Sequence, residues 1–262
     1  MSQLAESRRQ LLVAGYLIVL MIVAAAGYVG FRAVSHELSV ARLQSEFVAT
    51  VSHEFRTPLT AMRHLTDLLE EGGVAPERQA VYYGAIGKEM RRLHGMVEGL
   101  LDFGRIESGR RTYQMETTTA ADLARRVVEE VGSPRVVLET SPSPSSIRAD
   151  RDALALALRN LVENAIKYSP DESPVRVSVA PQGNLAGISV EDQGAGIAKH
   201  EQRKVFRKFV RGSSAQSMNV KGTGIGLAMA DQIVRAHGGR LTLVSEPSRG
   251  SRFTILLPVD QA

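Results

Sequence analysis

The hydrophobic pattern of the chain begins with an uninterrupted apolar stretch at residues 11–31. It contains no charged side chain, and as a helix rising about 1.5 Å per residue it would cross a hydrocarbon core of about 30 Å. Tyr16, Tyr28 and Phe31 lie toward its ends, where aromatic rings settle at the lipid–water boundary. The alternatives are a signal peptide, which has a shorter apolar region and a small-residue cleavage site, and a buried core helix. The pattern predicts a single membrane span at 11–31 after a short tail at residues 1–10.

Two apolar seams with heptad spacing follow this stretch. Successive seam positions are three or four residues apart, which is the spacing of helices that pack along one face. The first segment ends at Glu71-Gly72-Gly73, and Pro76 can open the second near its N-terminus. The seams run through Val48, Val51, Phe55, Pro58, Met62, Leu65 and Leu69, and then through Tyr83, Ile86, Met90, Leu93, Val97 and Leu100.

The short loop between these two helices predicts an antiparallel hairpin over residues 46–105, preceded by a linker helix at 32–45. One hairpin cannot bury both seams. We therefore expect a homodimer in which residues 46–105 of two copies form a four-helix bundle. A linker at 106–118 leads to the remainder of the chain.

Beyond residue 119 the pattern changes to short strands between amphipathic helices. Helices are predicted at 121–131, from an N-cap at Asp150 through Tyr168, and at 223–237. Strands are predicted at RVVLET, SSIRA, PVRVSVA, LAGISVE, GRLTLVSE and SRFTILLP, with a turn at Gly183-Asn184. This segregation predicts an α+β sandwich over residues 119–262. The predicted fold class of the whole chain is therefore α+β, with a transmembrane helix, a two-helix hairpin and the sandwich in that order.

Composition narrows the classes of function. The chain has no cysteine, which excludes a disulfide scaffold and a thiolate metal site. Hydrophobic residues make up 44% and charged residues 23%, so we expect a folded rather than a disordered protein. The net charge of +4 is mild, and we expect no nucleic-acid partner because such proteins concentrate more positive charge on one face.

One helix of the predicted sandwich has the chemistry of a nucleotide site. Asn160, Asn164 and Lys167 are spaced to line one helix face, and Tyr168 follows them. Amide oxygens suit Mg²⁺, and a lysine suits phosphate. Asparagine pairs are also common on ordinary surface helices, so this cluster alone is weak evidence.

Two glycine clusters have related chemistry. Asp192, Gly194 and Gly196 follow a strand, so the carboxylate can accept a hydrogen bond from an exocyclic base amine while the backbone passes close beneath. A plain tight turn is the alternative. The second cluster leads into a helix whose first N–H groups can approach phosphates, and no strand precedes it, which argues against a dinucleotide-binding fold. It consists of Gly222, Thr223, Gly224, Gly226 and Leu227.

A basic segment lies between the two glycine clusters. Residues 196–222 contain seven lysines and arginines, Arg211 among them, against one acid, Glu201. Charge runs are often only solvated surface. Glycine motifs on both sides favour a mobile lid over the phosphates.

The hairpin contributes a candidate nucleophile. His53 falls at a heptad position that points away from the seam into solvent. Glu54 adjoins it and could take the proton from one ring nitrogen, and Thr57, one turn on, could orient a water. Pro58 should bend or loosen the helix, and the Glu54–His53 contact depends on that distortion. His64 lies on nearly the same face without a supporting motif and is interpreted as a surface residue.

Together these motifs resemble those of bacterial two-component sensor histidine kinases. S-H-E-F-R-T-P-L around His53 is similar to the phosphoacceptor box of that family. N-L-V-E-N-A-I-K-Y, D-Q-G-A-G-I, F-R-K-F-V-R-G and G-T-G-I-G-L are similar to its N, G1, F and G2 boxes, in the family's order. The resemblance covers residues 40–258, and five ordered motifs together are highly specific. One departure is Arg207, where the F box usually has an acidic residue.

The resemblance implies a sandwich that binds ATP, of the kind shared with gyrase-type ATPases. It assigns adenine recognition, Mg²⁺ coordination and phosphate contact to separate residues. Asp192 would recognise adenine, and Asn164 with Asn160 would coordinate Mg²⁺. Lys167, Arg211 and Gly224 to Gly226 would contact the phosphates. In the hairpin, His53 would attack the γ-phosphate, while Glu54 and Thr57 would serve kinase and phosphatase steps.

The resemblance also implies a protein-histidine kinase that passes its phosphoryl group to an aspartate on the receiver domain of a response regulator. A phosphatase or non-catalytic regulator of that partner, and a gyrase- or chaperone-type ATPase using Glu163, stay open as alternatives. The expected location is the inner (plasma) membrane, in contact with lipid and with the catalytic part in the cytoplasm. Arginines on both sides of the span give no orientation. The short segments beside it leave no room for a typical sensor, so we expect a truncated kinase or a signal received through the membrane or a partner.

Overall fold

The computed structural model describes residues 2–71, 74–141, 146–210, 212 and 223–260. Within these ranges the side chains at 2–14, 17–19, 33, 36, 39, 40 and 46 are not described. Contacts divide the chain into two units, residues 1–48 and residues 49–262.

Two long helices form the predicted hairpin. Helix α1 runs over Ser2–Glu70 and helix α2 over Pro76–Glu107. Pro76 opens α2 as predicted, because its fixed φ and missing N–H suit the first turn. Pro58 lies inside α1 without interrupting it. The turn glycines Gly72 and Gly73 lie outside the described residues.

The predicted membrane span is part of helix α1. Its described side chains, at positions 15, 16 and 20–31, are exposed. Among the side chains that the structure describes, no helix is both long and apolar enough to cross a membrane. Positions 11–14 and 17–19 of the predicted span lie outside that description.

The remainder of the unit is an α/β sandwich. In the described ranges, five strands form a mixed sheet in the order β2-β4-β5-β7-β6, in which β2 and β4 are parallel, and β1 pairs antiparallel with β3 beside it. The strands are β1 Glu116–Thr119, β2 Val136–Thr140, β3 Ser146–Ala149, β4 Val175–Gln182, β5 Leu185–Asp192, β6 Arg240–Glu246 and β7 Gly250–Pro258. The helices are α3 Ala120–Val131, α4 Arg151–Tyr168 and α5 Gly226–Ala236.

Local chemistry sets the start of two of these helices. The Asp150 side chain accepts a hydrogen bond from the Ala153 N–H at 2.9 Å, which confirms the predicted N-cap of α4. Thr119 caps α3 in the same way, accepting from the Asp122 N–H at 3.0 Å. Strand β1, which ends at Thr119, was not predicted, and its first residues fall in the predicted linker at 106–118.

The core lies between the sheet and the three helices that pack against it. Val175 and Val177 of β4 are fully buried, while Arg176 between them is exposed, so the sheet has a covered face and a solvent face. This layer arrangement places the C-terminal end of β5, the exposed end of α4 and the first turn of α5 around one opening. The largest fully buried side chains of the core include Leu154, Leu158, Leu161, Ile188, Ile233 and Ile255.

Candidate active site

Asp192 lies at the end of β5 and is held by two backbone groups. The Gly194 N–H donates to its Oδ1 at 2.7 Å, and the Ser251 N–H donates to the same oxygen at 3.3 Å. The residue is 7% exposed and lines a cavity. Burial raises the pKa of this carboxyl above the usual aspartate value, while the two N–H groups act in the opposite direction. A desolvated carboxylate in this position is suited to accept a hydrogen bond from an amine in the cavity.

The loop after Asp192 passes too close to its neighbours to accept a side chain. A Cβ on Gly194 would lie 2.3 Å from the Tyr168 carbonyl oxygen. A Cβ on Gly196, whose φ is +65°, would lie 1.9 Å from the Glu246 carbonyl oxygen. Glycine at these two positions therefore allows the loop to pass this close to its neighbours, and Gly196 lines the cavity.

Helix α4 presents its polar face to the same cavity. Asn160, Asn164, Lys167 and Tyr168 all line it. The Asn160 Nδ2 donates to the Leu156 carbonyl oxygen at 2.9 Å, which leaves Oδ1 turned away from that bond. The Lys167 Nζ lies 5.6 Å from the centre of the Tyr168 ring, within the range of a cation–π contact. The spacing of these residues thus places them together, as the sequence predicted.

Glu163 on α4 is a further acid in the cavity wall. Partial burial raises the pKa of its carboxyl, and the cations Arg159 and Lys167 act against that shift. Its side chain is open to the cavity rather than packed in the core. It is therefore the titratable group of α4 that could exchange a proton with a bound molecule.

The first turn of α5 closes another side of the cavity. Thr223, Gly224, Gly226 and Leu227 line it, and Gly224 has a φ of +72°. A Cβ on Gly226 would lie 2.7 Å from the Asn160 Oδ1, so glycine lets the helix start approach α4. The free N–H groups of a helix start, together with the helix dipole, favour a negatively charged group there.

The predicted lid is described in part. Arg211 and Gly222 lie outside the described residues. Of the rest, the Phe206 ring packs edge-on against Phe253 with 6.2 Å between ring centres. The Phe209 ring packs in the same manner against Phe103 of α2 at 5.9 Å. An ion pair between Lys208 and Glu107 of α2 adds to this contact, so the lid region touches the hairpin.

The three hairpin candidates lie on different sides of α1. His53 is exposed, as its heptad position predicted. Thr57 is half-buried, and its hydroxyl donates to the His53 carbonyl oxygen at 3.2 Å. Glu54 is only 7% exposed, and its Oε2 accepts a hydrogen bond from the Arg92 Nη2 of α2 at 3.4 Å. The predicted contact between the Glu54 and His53 side chains is wrong, because neighbouring helix residues point about 100° apart and Glu54 has an ionic partner across the hairpin.

One cavity of about 310 Å³ joins the two regions. On the sandwich side its wall includes the predicted nucleotide residues that the structure describes, except Gly194. On the hairpin side it includes Glu54, whereas His53 and Thr57 are not part of its wall. The hairpin side is formed by Val51, Glu54, Phe55, Gly95, Met96, Gly99 and Leu100.

Several residues of the site have no clear signal in the sequence. Ser251 donates to Asp192 from a strand distant in sequence. Phe103 and Arg92 of α2 contact Phe209 and Glu54 respectively. Both contacts join residues that are far apart along the chain, so no local pattern could reveal them.

Two family models match the chain. The His Kinase A (phospho-acceptor) domain matches residues 43–109. The histidine kinase-, DNA gyrase B-, and HSP90-like ATPase matches residues 149–261. Together they include the hairpin with His53 and the part of the sandwich, from α4 onward, that lines the cavity.

Similar proteins point the same way. The chain is 34% identical over 221 residues to the sensor-like histidine kinase SenX3 of Mycolicibacterium smegmatis, which covers 81% of the chain and 57% of that protein. Of the solved structures, ShkA in complex with AMPPNP is 27% identical with a TM-score of 0.58, covering 82% of the chain and 46% of ShkA. The histidine kinase AdeS of Acinetobacter baumannii shares the fold at a TM-score of 0.59 and 22% identity, covering 80% of the chain and 98% of AdeS.

The chain thus spans little more than half the length of SenX3. Within that span the phosphoacceptor hairpin comes first and the ATP-binding sandwich follows. On this combination of domains, the chain belongs to the sensor histidine kinases.

Proposed function

We propose that the chain is an ATP-dependent protein-histidine kinase that phosphorylates His53. The main support is the cavity, whose wall combines nucleotide-type residues of the sandwich with Glu54, the neighbour of His53. His53 itself is exposed on the hairpin and open to an incoming phosphate. The similar structure of ShkA is of a complex with AMPPNP.

In this proposal the sandwich contacts both ends of the ATP molecule, the adenine and the phosphates. Asp192 would accept a hydrogen bond from the adenine amine, with the glycine backbone at Gly194 and Gly196 beneath the base. The N–H groups at the start of α5 and the Lys167 ammonium would contact the phosphates. Arg211 of the lid would add a further cation.

The donor set of α4 fits Mg²⁺. In protein sites that bind phosphates this ion takes one or two protein oxygens and completes its shell with phosphate and water. No group of three acidic or histidine side chains that could hold a metal lies among the described residues, so the amide oxygens of Asn160 and Asn164 would be its ligands. The bond from Asn160 Nδ2 to Leu156 leaves Oδ1 available for this. When bound, the ion would neutralise phosphate oxygens.

The chemical step would take place on the His53 ring. One ring nitrogen attacks the γ-phosphorus and forms an N–P bond, while the bond from that phosphorus to the bridging oxygen breaks and ADP leaves. The other ring nitrogen loses its proton to a base, for which Glu54 is the candidate. The phosphoryl group would then pass to an aspartate of a response-regulator receiver domain, and Thr57 would orient a water for its later hydrolysis.

The proposal includes a homodimer and a membrane anchor. Tyr83, Met90 and Val97 of the second seam are exposed in the single chain, which supports a second copy packing on residues 46–105. The uncharged sequence at 11–31, with exposed Tyr16, supports a single membrane span in contact with lipid. The catalytic part would then lie in the cytoplasm.

The test is labelling of the full chain, purified in detergent, with γ-³²P-ATP and Mg²⁺. A phosphohistidine loses its label in acid and keeps it in alkali. We expect His53→Gln to remove the label and His64→Gln, the matched change at another exposed histidine of α1, to retain it. Label that survives in His53→Gln, or that is stable in acid, would sink the proposal.

Glu163 supports a second candidate, ATP hydrolysis of the gyrase or chaperone type. Its carboxyl lines the cavity and has a raised pKa, as a general base for water requires. This candidate predicts phosphate release that is lost in Glu163→Gln and unchanged in His53→Gln. The kinase proposal predicts the reverse for labelling.

A further inference from the structure

The Arg92 side chain of α2 lies between two carboxylates of the hairpin and is 39% exposed. Its Nη2 donates to the Glu54 Oε2 at 3.4 Å, and its Nη1 lies 3.7 Å from the Glu89 Oε2. The Glu54 side chain is 9% exposed and that of Glu89 is 24% exposed. Among the described residues, the buried Oε2 of Glu89 has no hydrogen-bond partner. Arg92 therefore hydrogen-bonds to one acid while a second lies just beyond bonding distance.

The bond to Arg92 keeps Glu54 directed into the hairpin. His53 is exposed on a different side of α1, and it does not line the cavity that Glu54 lines. A carboxylate that is bonded to a guanidinium across the hairpin cannot at the same time reach the ring of His53. Glu54 must leave Arg92 before it can accept the histidine proton.

Glu89 is an alternative anionic partner for Arg92. It lies one turn before Arg92 on α2, and its Oε2 already forms a long ion pair with Arg92 at 3.7 Å without accepting a hydrogen bond. If the guanidinium moves to Glu89, it keeps an anionic partner while its side chain stays partly exposed to solvent.

We propose that Arg92 is a positioning residue that holds Glu54 away from His53 and releases it by changing partner to Glu89. This rests on the proposed function, because it assigns a timing to the proton transfer of that reaction. Arg92 does not line the cavity, so it acts through Glu54 and not on the nucleotide.

The test compares initial rates of labelling in the full chain. Arg92→Met removes the donors while keeping the length of the side chain, and we expect it to raise the rate roughly two- to fivefold, the range for loss of one partly exposed ion pair. Glu89→Gln removes the alternative partner and should lower the rate by a similar factor. Arg92→Lys keeps a cation and should stay near the wild-type rate. The KM for ATP should change less than about twofold in all of them.

Two double variants separate positioning from mere stability. Glu89→Gln should have no effect in the Arg92→Met background, and Arg92→Met should give no gain in the Glu54→Gln background. Arg91→Met, at the exposed neighbouring arginine, is the matched control and should label like the wild type. If Arg92→Met fails to fold, Glu89→Gln tests the same exchange by itself.

The outcomes distinguish this inference from the function on which it rests. A wild-type chain that takes no label overturns both. A wild-type chain that labels, with Arg92→Met equal or slower at unchanged thermal stability, overturns the role of Arg92 alone. Equal rates for Glu89→Gln and the wild type do the same.

Discussion

The hairpin and the sandwich bury their apolar residues to very different degrees. In the sandwich Leu158, Leu161 and Ile188 are fully buried. In the hairpin, Tyr83 and Met90 of the apolar seam are 62% and 55% exposed. Pro58, Met62 and Phe103 are the buried apolar residues of the hairpin within the described ranges, and Phe103 is covered from the sandwich by Phe209.

The difference suits the two regions to different parts of the proposed reaction. The sandwich has its own core, so its cavity is shaped before any ligand binds, with Asp192 already held by two N–H groups. A single hairpin has exposed apolar seam residues, and Glu54, the proposed base, is bonded to Arg92 and not to His53. We infer that the sandwich sets nucleotide binding, while contacts of the hairpin set when the phosphoryl group moves.

The largest expected effect comes from comparing one type of substitution, glycine to alanine, at one position in each region. Gly250 has a φ of +91°, and a Cβ there would lie 1.9 Å from the Asp192 carbonyl oxygen. Gly250→Ala should therefore lower the free energy of unfolding of the sandwich by more than about 3 kcal/mol. Gly84 is exposed in α2 with open space around its Cβ position, so Gly84→Ala should stabilise the hairpin by about 0.5–1 kcal/mol.

The measurement is urea unfolding with hydrogen exchange and mass spectrometry, which assigns each change to its region. If both substitutions changed the free energy of unfolding in the same direction, the contrast between the closely packed sandwich and the openly packed hairpin would be contradicted.

A second pair of substitutions removes apolar side chains. Leu158→Ala in the sandwich core should cost about 3 kcal/mol, because it leaves a cavity. Met90→Ala in the exposed seam should change the stability of a single chain by less than about 0.5 kcal/mol. If two copies pair along that seam, Met90→Ala should instead raise the dimer dissociation constant, which analytical ultracentrifugation measures. An unchanged dimer would place the pairing surface elsewhere.

Asp192→Asn separates binding from stability within the sandwich. The labelling rate should fall by about a hundredfold or more, because the proposed bond to the adenine amine would lose its charged acceptor. Folding should not suffer at pH 8. Burial raises the pKa of Asp192 in the folded state, so its ionisation opposes folding once the pH exceeds the unfolded value. Asparagine removes that penalty and still accepts the two N–H bonds.

The stabilisation by Asp192→Asn should therefore be greatest near neutral pH. It should vanish as the pH falls below the usual aspartate pKa, where the Asp192 carboxyl is uncharged in both the folded and the unfolded protein. Thermal unfolding between pH 4 and pH 8 measures it. A stabilisation that grows toward acid would show that the carboxylate is favoured by the fold.

The smallest expected effect lies where the two regions touch. Lys208 and Glu107 form an ion pair whose side chains are 36% and 43% exposed. Lys208→Gln should change the unfolding free energy by less than about 0.5 kcal/mol, and salt should reduce even that. A loss above about 1 kcal/mol in calorimetry would mean that the contact between the regions is part of a shared core.

Periodicity and caps predicted most of the elements. Heptad spacing located the hairpin, Pro76 its second helix, and Asp150 the start of α4, because each depends on residues within a few positions. Strand β1 was missed because its four residues, Glu-Thr-Thr-Thr, have little apolar pattern and form a strand only by pairing with β3.

The sequence by itself determined the family, the order of the two regions and the residues that surround the cavity, since helical spacing and glycine motifs place those residues by local geometry. Only the tertiary structure decided where Glu54 points. Its position next to His53 suggested a partner that the helix keeps about 100° away, and the partner it has, Arg92, comes from the other helix of the hairpin. Contacts between residues distant along the chain depend on packing, and no local pattern specifies them.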